Sequence, residues 1–398
     1  MSNTVLERRD PLVPEHDADG PSVVIAAGGT GGHIFPGLAL AGAVRGLDPA
    51  ARISFVGTAR GLEGSIVPKA GYPLHLVGMV PFSGRGRLLA PGALVRAAWQ
   101  ARRILRREHA AVAVGMGGYA SIPLIAGARL ANVPSLIHES GAIPGRANLL
   151  AARLTPHVAL AFENARSSFP PASHARTVGM PLAPAITTFD RERLRDEARA
   201  MFSLPAGAAT ILVLGGSQGA ATLNRAAVGL ALHWRGRGDR HIVLKTGEAQ
   251  LAGVTDELDR AGCRDLVTVT SFIERMDLSY AAADLAVCRA GAGTVAELAA
   301  TGLPAVLVPY PYAPHDHQAV NAATLVEPGA AVLVRDNEAT PERLVPLLDD
   351  LLDDPGALAA MGAAARGAAR PHAADELAAW VLELARHRRA PMVAGTTP

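Results

Sequence analysis

Residues 26–36 read AAGGTGGHIFP. The apolar run SVVIAA just before the first glycine predicts a buried strand, and the periodic run LALAGAVRGL after Pro36 predicts a helix. Glycines in such a turn let the main chain approach an anionic or hydroxylated ligand, toward which the first N–H groups of the helix point. A tight strand-to-helix turn alone would also explain the glycines. His33, however, places an imidazole where parallel sheets bind their ligands, so we interpret it as a functional residue.

Length and composition limit the class of protein. The chain has 398 residues, which is too long for one ordinary core and indicates two or three domains. Its residues are 49% hydrophobic but only 4% aromatic, and this balance favours layered α/β domains. The formal net charge is only +2, so attraction to an acidic partner must come from local clusters. The two cysteines, Cys263 and Cys288, provide no disulfide framework and are typical of a reducing cytoplasm.

Two nucleotide-binding classes are disfavoured by the same turn. GGTGGH does not fit the G-x-G-x-x-G pattern of dinucleotide oxidoreductases, and the next predicted strand ends at Val56-Gly57-Thr58 without a ribose-binding carboxylate. The turn also lacks the lysine of a P-loop. The segment DAD at residues 17–19 has the carboxylate spacing of a metal–nucleotide site, but it precedes every predicted strand, so we interpret it as solvated tail.

Strands and helices alternate along almost the whole chain. Predicted strands lie at residues 22–27, 52–56, 74–77, 111–115, 135–138 and 157–160, and again at 210–214, 241–244, 266–269, 285–288, 305–308 and 331–334. A proline-marked segment, GMPLAPAITTFD, separates the two series like an interdomain linker. We therefore predict an α/β protein with two Rossmann-like, doubly wound domains that face each other across a cleft.

These patterns divide the chain into five segments. Residues 1–20 are polar and lack the apolar core of a signal peptide, so we expect a disordered N-terminal extension. We expect an N-terminal domain at 21–180, a C-terminal domain at 181–370, a helix at 371–388 that packs back on the N-terminal domain, and a disordered tail at 389–398. An uncharged run at residues 110–128 is long enough for a membrane span, but its glycines and proline favour strand, turn and helix.

A segregated basic segment lies between Glu63 and Glu108. It contains no acidic residue but has Lys69 and seven arginines, namely Arg85, Arg87, Arg96, Arg102, Arg103, Arg106 and Arg107. We predict a helix over residues 92–107, on which one stripe carries Val95, Trp99, Arg102 and Arg106, and a second, core-facing stripe carries Leu94, Ala98, Ala101 and Leu105.

The basic segment favours attachment to an anionic membrane surface. A tryptophan amid arginines, preceded by an apolar loop that contains Phe82, is typical of interfacial anchoring. The membrane face then comprises Phe82, Arg85, Arg87, Trp99, Arg102 and Arg106. A plain solvated helix is the first alternative. A nucleic-acid surface is the second, but no aromatic platform or known nucleic-acid motif accompanies these arginines, so we predict no nucleic-acid partner.

A second glycine-rich turn follows the predicted strand at 285–288. It reads RAGAGT at residues 289–294 and opens a helix. The N–H groups of Gly293 and Thr294, together with the threonine hydroxyl, are placed to bind a diphosphate. Glu297 lies one turn further, where it is placed to accept hydrogen bonds from the two vicinal hydroxyls of a ribose. The alternative is that Glu297 only compensates the helix dipole.

The loop after the next strand contains His315, Asp316 and His317. Three adjacent loop residues seldom converge on one ion, so we predict no metal site there. Gln318 and Asn321 follow at positions i and i+3 of a predicted helix start, where their paired donors and acceptors suit sugar hydroxyls.

Seven motifs occur along the chain in a fixed order: GGTGGH, GMGGY, HESGAIPG, GGSQGA, SFIERM, CRAGAGTVAEL and DHQAVN. Together they resemble the MurG family of membrane-associated cytoplasmic transferases, which add N-acetylglucosamine (GlcNAc) to lipid I to make lipid II. The resemblance covers about residues 22–388. It implies a GT-B fold, a UDP-GlcNAc donor held mainly by the C-terminal domain, and undecaprenyl-pyrophosphoryl-MurNAc-pentapeptide held by the N-terminal domain as acceptor. It implies no cofactor.

The resemblance also implies roles for single residues. In the N-terminal domain, Thr30, Gly31 and Gly32 match the donor-contacting loop and His33 matches the proposed base. In the C-terminal domain the matched positions are a phosphate contact at Ser217, a main-chain contact to uracil at Ile273, a GlcNAc contact at Gln318, and a phosphate and ribose element formed by Ala292, Gly293, Thr294, Val295, Ala296 and Glu297.

Two positions depart from the family pattern. The family usually has Asn in HE-x-N, a contact to the donor sugar, where this chain has Gly141. It usually has Arg at the end of GxPxR, near the diphosphate, where this chain has Ala183. Each missing partner weakens the donor interaction by about 1.5 to 3 kcal/mol unless another group substitutes.

The reaction that follows from these expectations is an inverting, metal-independent hexosamine transfer. His33 removes the proton of the acceptor C4 hydroxyl while that oxygen displaces UDP from the opposite face, which gives a β1→4 bond. The leaving diphosphate is stabilised by the helix that starts near Gly293. Two alternatives are a same-fold GlcNAc transferase that acts on a soluble natural-product acceptor, and a UDP-GlcNAc epimerase or catalytically silent binding subunit.

Overall fold

The computed structural model describes residues 20–59, 61–79, 86–216 and 219–389, with the main chain alone at 86–91 and 389. Two parallel sheets organise these residues, one in each half of the chain. The predicted N-terminal extension and C-terminal tail lie outside the described residues, apart from Gly20 and the main chain of Arg389.

The N-terminal domain is built on a seven-stranded parallel sheet with the order β3-β2-β1-β4-β5-β6-β7. Its strands are β1 (Ser22–Ala26), β2 (Arg52–Gly57), β3 (Leu74–Leu76), β4 (Val112–Gly115), β5 (Ser135–Glu139), β6 (His157–Leu160) and β7 (His174–Thr177). Its helices are α1 (Gly31–Leu47), α2 (Glu63–Lys69), α3 (Gly86–Arg107), α4 (Ser121–Ala131) and α5 (Arg146–Ala151), with a 3-10 segment at Glu163–Ser168. Every residue of β1, β4 and β5 is buried, as a parallel sheet covered on both faces requires.

The C-terminal domain is built on a six-stranded parallel sheet with the order β10-β9-β8-β11-β12-β13. Its strands are β8 (Ala209–Leu214), β9 (Arg240–Lys245), β10 (Val267–Thr270), β11 (Leu285–Cys288), β12 (Ala305–Leu307) and β13 (Ala331–Leu333). The helices are α6 (Pro184–Thr187), α7 (Arg191–Met201), α8 (Ala221–His233), α9 (Leu251–Ala261), α10 (Met276–Ala282), α11 (Ala292–Thr301), α12 (His317–Val326), α13 (Pro341–Leu352), α14 (Pro355–Ala368) and α15 (Ala373–Arg389). Short 3-10 segments occur at Glu248–Gln250, Arg264–Leu266, Pro314–Asp316 and Asp336–Glu338.

The strand order reverses at one place in each sheet. The reversal lies between β1 and β4 in the first sheet and between β8 and β11 in the second. Open parallel sheets bind ligands in the crevice that this reversal creates at the carboxyl ends of the strands. In the sequence, a glycine-rich segment follows each of these four strands.

The chain crosses between the two domains at neighbouring places. The first crossing follows β7, where Gly179 has a φ of +98°, and a Cβ there would lie 2.7 Å from the Cβ of Arg370. The second crossing leads into α15, which packs against α1. Leu377 and Trp380 of α15 belong to the same hydrophobic core as Val23 of β1. The last helix therefore forms part of the N-terminal domain.

The twelve predicted strands coincide with strands of the structure, with differences of one residue or two at the ends. The edge strand β7 was missed, because HART is polar and carries no run of apolar residues. The helix α3 begins at Gly86, six residues before the predicted start at Gly92, so Pro91 and Gly92 lie inside it. Within the described residues, no helix has both the length and the apolarity to cross a membrane.

Candidate active site

The first glycine-rich turn presents the start of α1 to the N-terminal crevice. Thr30 is extended, with φ −128° and ψ 162°, and precedes the first helical residue, Gly31. Thr30 and Gly32 are exposed, and Gly31 is half-buried. The first turn of α1 has no acidic residue, so nothing in that turn repels an anion from its N–H groups.

His33 lies on that first turn and faces the turn after β4. Its Nδ1 is 3.3 Å from the carbonyl oxygen of Gly28. Because a carbonyl only accepts, Nδ1 carries the proton and Nε2 keeps its lone pair. Gly117, with a φ of +102°, makes room for the ring, since a Cβ there would lie 2.8 Å from Nε2. The motifs GGTGGH and GMGGY thus come together, and Nε2 is the atom that can act as a base.

Burial lowers the pKa of His33 below its usual 6.5, although the Gly28 carbonyl opposes this shift. The neutral imidazole is therefore the form present at neutral pH. A base works only while it is unprotonated, so activity is lost as the pH falls through the pKa of the folded protein. We expect the acidic limb of the kcat/KM profile for acceptor to lie below pH 6.5. A limb at or above that pH, with donor saturating, would contradict the assignment of His33.

Glu63 stabilises the glycine-rich turn after β1 through hydrogen bonds. This residue is fully buried, and its carboxylate accepts hydrogen bonds from the N–H of Gly29 at 3.0 Å and from the N–H and hydroxyl of Thr58 at 2.8 and 2.9 Å. Glu63 therefore ties the turn after β1 to the end of β2. In the sequence, Glu63 marks only the start of the basic segment. An acidic residue near the end of the second strand was the signal that could have suggested its role.

The turn after β5 is shaped by Glu139. Its carboxylate accepts from the N–H groups of Gly141 and Gly145 at 2.8 and 3.0 Å and from the amide of Asn148 at 2.9 Å. At Gly141, which replaces the usual Asn, a Cβ would lie 2.9 Å from the carbonyl oxygen of Ile143. An Asn there requires the main chain to shift. The turn is therefore adapted to glycine.

His138 precedes this turn and connects β5 to the interdomain crossing. Its Nε2 lies 2.9 Å from the carbonyl oxygen of Gly179, and its ring is fully buried. Desolvation lowers the pKa of His138 to about 4, so the residue is neutral at pH 7. Ala183, which replaces the usual Arg, is exposed beyond the crossing.

In the C-terminal domain, the second glycine-rich turn opens α11. Helix α11 begins at Ala292, so Gly293 and Thr294 stand in its first turn, partly exposed, with no acidic residue beside them. Ala296 is also partly exposed, whereas the side chain of Val295 is only 2% exposed and packs in the core. A ligand contact at Val295 must therefore come from its main chain.

Glu297 stands on the second turn of α11. Its Oε2 accepts a hydrogen bond of 2.6 Å from the hydroxyl of Tyr280. Burial raises the pKa of Glu297, while the tyrosine hydrogen bond and the charge of Lys245 oppose this shift. The influence of the helix dipole fades beyond the first turn, so dipole compensation explains this glutamate poorly.

Gln318 and Asn321 stand on α12 but do not share a face toward the crevice. The Oε1 of Gln318 accepts from the N–H of Tyr310 at 2.9 Å, which orients its amide. Asn321 is only 1% exposed; its Oδ1 accepts from the N–H of Ala142 at 3.0 Å and its Nδ2 donates to the carbonyl of Ala290 at 3.1 Å. Oδ1 of Asn321 thus joins α12 to the N-terminal domain, and Nδ2 is engaged within the C-terminal domain. The structure therefore gives no support to a sugar contact at Asn321, which stays a prediction.

Two predicted ligand contacts, at Ser217 and Ile273, have no exposed side chain among the described residues. Ser217 lies outside the described residues. Ile273 follows β10 and its side chain is 4% exposed in the core, which leaves only its main chain for a nucleobase.

Among the described residues, no group of three His, Cys, Asp or Glu side chains is placed to hold a metal ion. Asp316 instead pairs with Arg335 at 2.8 Å, and Nδ1 of His317 lies 3.0 Å from the carbonyl oxygen of Pro314.

The basic segment forms the outer surface of α3. Val95 and Trp99 are 60% and 49% exposed, whereas Ala98, Ala101 and Leu105 are buried against the domain. Leu94, the fourth residue of the predicted core-facing stripe, is only partly buried. The exposed stripe also carries Arg102 and Arg106. These residues define what we name the α3 face, namely Val95, Trp99, Arg102 and Arg106.

Arg102 also has a structural contact. Its guanidinium lies 4.9 Å from the centre of the Trp99 ring, and its Nε donates to the carbonyl of Leu130 at 3.2 Å. The other predicted members of the membrane face are Phe82 and Arg85, which lie outside the described residues, and Arg87, of which only the main chain is described. The structure therefore supplies a defined aromatic and basic stripe at Trp99 and Arg102.

Comparison with known proteins agrees with this architecture. The models of the N-terminal and C-terminal domains of glycosyltransferase family 28 match residues 23–160 and 210–377. A Mycolicibacterium vanbaalenii protein named UDP-N-acetylglucosamine--N-acetylmuramyl-(pentapeptide) pyrophosphoryl-undecaprenol N-acetylglucosamine transferase is 43% identical over 92% of this chain and 91% of its own length. A Saccharopolyspora erythraea protein of the same name is 44% identical over 92% of this chain and 94% of its own.

Solved structures show the same arrangement of domains. The crystal structure of Acinetobacter baumannii MurG matches with a TM-score of 0.72 and 29% identity, over 92% of this chain and all of that one. MnaA of S. aureus, solved with UDP, shares the fold alone, with a TM-score of 0.65 at 13% identity, over 90% of this chain and 95% of that one. The fold and the site thus define a GT-B glycosyltransferase. Within that class, the chain belongs to glycosyltransferase family 28 and, by the identity of its relatives, to the MurG family.

Proposed function

We propose that this chain transfers GlcNAc from UDP-GlcNAc to the C4 hydroxyl of the MurNAc unit of lipid I, which forms lipid II for peptidoglycan. The observation that carries the proposal is the imidazole of His33 at the N-terminal crevice of a MurG-family chain, whose Nδ1 faces the Gly28 carbonyl so that Nε2 is the ring nitrogen that can accept a proton. An epimerase of the same fold is disfavoured, because the relatives that are 43% and 44% identical to this chain are named transferases. The chain matches more than 90% of the length of each of these relatives.

His33 is the general base of the proposed reaction. Nε2 takes the proton of the acceptor C4 hydroxyl as that oxygen attacks the anomeric carbon of GlcNAc from the face opposite to UDP. The new glycosidic bond forms as the bond to the diphosphate breaks, so the configuration is inverted. A positioned base contributes about 10² to 10⁴ in rate.

The start of α11 stabilises the leaving group. The N–H groups of Gly293 and Thr294, at the positive end of the helix dipole, receive the negative charge that develops on the diphosphate. The main chain of Ile273 holds the uracil, Glu297 accepts from the ribose hydroxyls, and Gln318 contacts the GlcNAc. The exposed first turn of α1, at Thr30 to Gly32, faces the donor from the other domain.

We expect this transfer to need no divalent cation, because the helix start takes the role that a metal ion has in other nucleotide-sugar transferases. Purified protein with UDP-GlcNAc and lipid I should release UDP at the same rate before and after treatment with EDTA. UDP release without any acceptor should be slower by orders of magnitude. Activity that EDTA abolishes and Mg²⁺ restores would contradict the helix-based account.

The same proposal places the protein at the cytoplasmic face of the cell membrane as a peripheral protein. Its lipid-linked acceptor resides in a bilayer, and the α3 face offers an exposed tryptophan and arginines suited to anionic headgroups. The partners we propose are therefore UDP-GlcNAc, the undecaprenyl-linked acceptor and an anionic membrane surface, with no nucleic acid.

A further inference from the structure

A buried tyrosine stands behind the proposed ribose site. Tyr280 lies on α10 and is only 1% exposed, within the hydrophobic core beneath α11. Its hydroxyl donates a hydrogen bond of 2.6 Å to Oε2 of Glu297, which stands 17 residues further along the chain. The surrounding core is apolar, and a phenylalanine would fill almost the same volume. What the hydroxyl adds is its bond to this one carboxylate.

The hydrogen bond from Tyr280 distinguishes the two carboxylate oxygens of Glu297, because only Oε2 accepts it. Oε2 is held from the core side by Tyr280, whereas Glu297 as a whole residue keeps part of its surface accessible. The phenol stays a donor, because burial and the neighbouring carboxylate raise the pKa of Tyr280 well above 10. A carboxylate fixed through one oxygen presents the other in a defined direction.

Lys245 approaches the same carboxylate from β9. Burial raises the pKa of Glu297, and the charge of Lys245 opposes that rise. The Nζ of this lysine donates to the carbonyl of Gly216 at 2.9 Å, after β8. The two turns of the C-terminal crevice are thus connected electrostatically through this lysine. Its charge favours the ionised glutamate, which is the form that accepts two hydroxyl hydrogen bonds.

We infer that Tyr280 is a positioning residue for ribose recognition, because its hydroxyl fixes Glu297 so that Oε1 accepts from the vicinal hydroxyls of the nucleotide. The inference rests on the proposed function, which places the ribose at Glu297. Tyr280 does not itself touch the ligand. Its loss should therefore reduce only the part of nucleotide binding that depends on the ribose hydroxyls.

The test compares two ligands in each variant. UDP and 2′,3′-dideoxy-UDP are titrated calorimetrically into the wild type, Tyr280→Phe and Glu297→Gln. Tyr72→Phe is the matched control, since it removes a tyrosine hydroxyl in the N-terminal domain, where the ring lies beneath Arg45. The wild type and the control should bind UDP about a hundredfold more tightly than 2′,3′-dideoxy-UDP, as expected for two hydroxyl hydrogen bonds to a charged acceptor. This ratio of the two Kd values is the preference for UDP.

Glu297→Gln should reduce this preference to a few-fold, and Tyr280→Phe should reduce it about tenfold while leaving the affinity for dideoxy-UDP within about twofold. Each preference is a ratio within one folded protein, so a lower Tm of Tyr280→Phe does not affect it. An unchanged preference for UDP in Glu297→Gln would show that Glu297 does not bind the ribose hydroxyls, and would refute that part of the proposed function. A lost preference in Glu297→Gln with a full one in Tyr280→Phe would overturn the inference alone. Equal weakening of both ligands by Tyr280→Phe would likewise overturn it, by showing a purely structural role.

Discussion

His33→Ala should lower turnover with lipid I by about two to four orders of magnitude, which is the contribution of a positioned general base. UDP binding should change little, because the imidazole acts on the acceptor hydroxyl and its Nδ1 donates to the main-chain carbonyl of Gly28. The measurement is steady-state kinetics with both substrates, accompanied by calorimetric titration of UDP.

A second histidine provides the control for this prediction. His387→Ala removes an imidazole whose side chain is 75% exposed on α15, at no crevice, and should leave both turnover and UDP affinity unchanged. Unchanged turnover in His33→Ala would remove this residue from the chemistry. Equal losses of turnover and of UDP affinity would instead assign His33 to donor binding.

The second large effect concerns the membrane. Wild-type protein should float with vesicles that contain anionic lipid, and the combined change Trp99→Ala, Arg102→Gln and Arg106→Gln should release most of it. Each arginine near the surface contributes about 1 kcal/mol, and the attraction fades within about 10 Å at 0.1 M salt. Trp99 adds insertion at the headgroup level, so part of the wild-type attachment should resist salt.

A control variant separates this surface from bulk charge. Arg193→Gln with Arg343→Gln removes two exposed arginines from the C-terminal domain and should leave flotation unchanged. Because Arg102 also donates to the carbonyl of Leu130, the Tm and the activity on detergent-solubilised acceptor are measured for each variant. Flotation that responds neither to the triple change nor to lipid charge would place the membrane surface elsewhere.

The local features of the site were predictable from the sequence because they depend on short stretches. An apolar strand, a glycine-rich turn and a helix start follow each other within about ten residues at His33 and again at Gly293. The pattern alone therefore places both residues beyond the carboxyl ends of strands. The α3 stripe at Trp99 was predictable for the same reason, since helical periodicity determines which residues share a face.

The remaining features depend on contacts between distant residues. Glu63 binds the N–H of Gly29, which is 34 positions away, and only the pairing of β1 with β2 brings them together. Asn321 meets Ala142 across 179 positions and two domains, so its spacing from Gln318 could not reveal that it points inward. The edge strand β7 has a polar sequence and exists because it pairs with β6. Tertiary pairing decides each of these cases.

The most direct test of the proposed function is a competition between acceptors. Purified protein is incubated with labelled UDP-GlcNAc, undecaprenyl-linked lipid I and a water-soluble hydroxylated acceptor in the same vesicle suspension, and the labelled products are separated and identified. We predict that the label appears on lipid I in a β1→4 linkage to MurNAc. Transfer to the soluble acceptor alone, or conversion of UDP-GlcNAc to an epimer without transfer, would contradict the account.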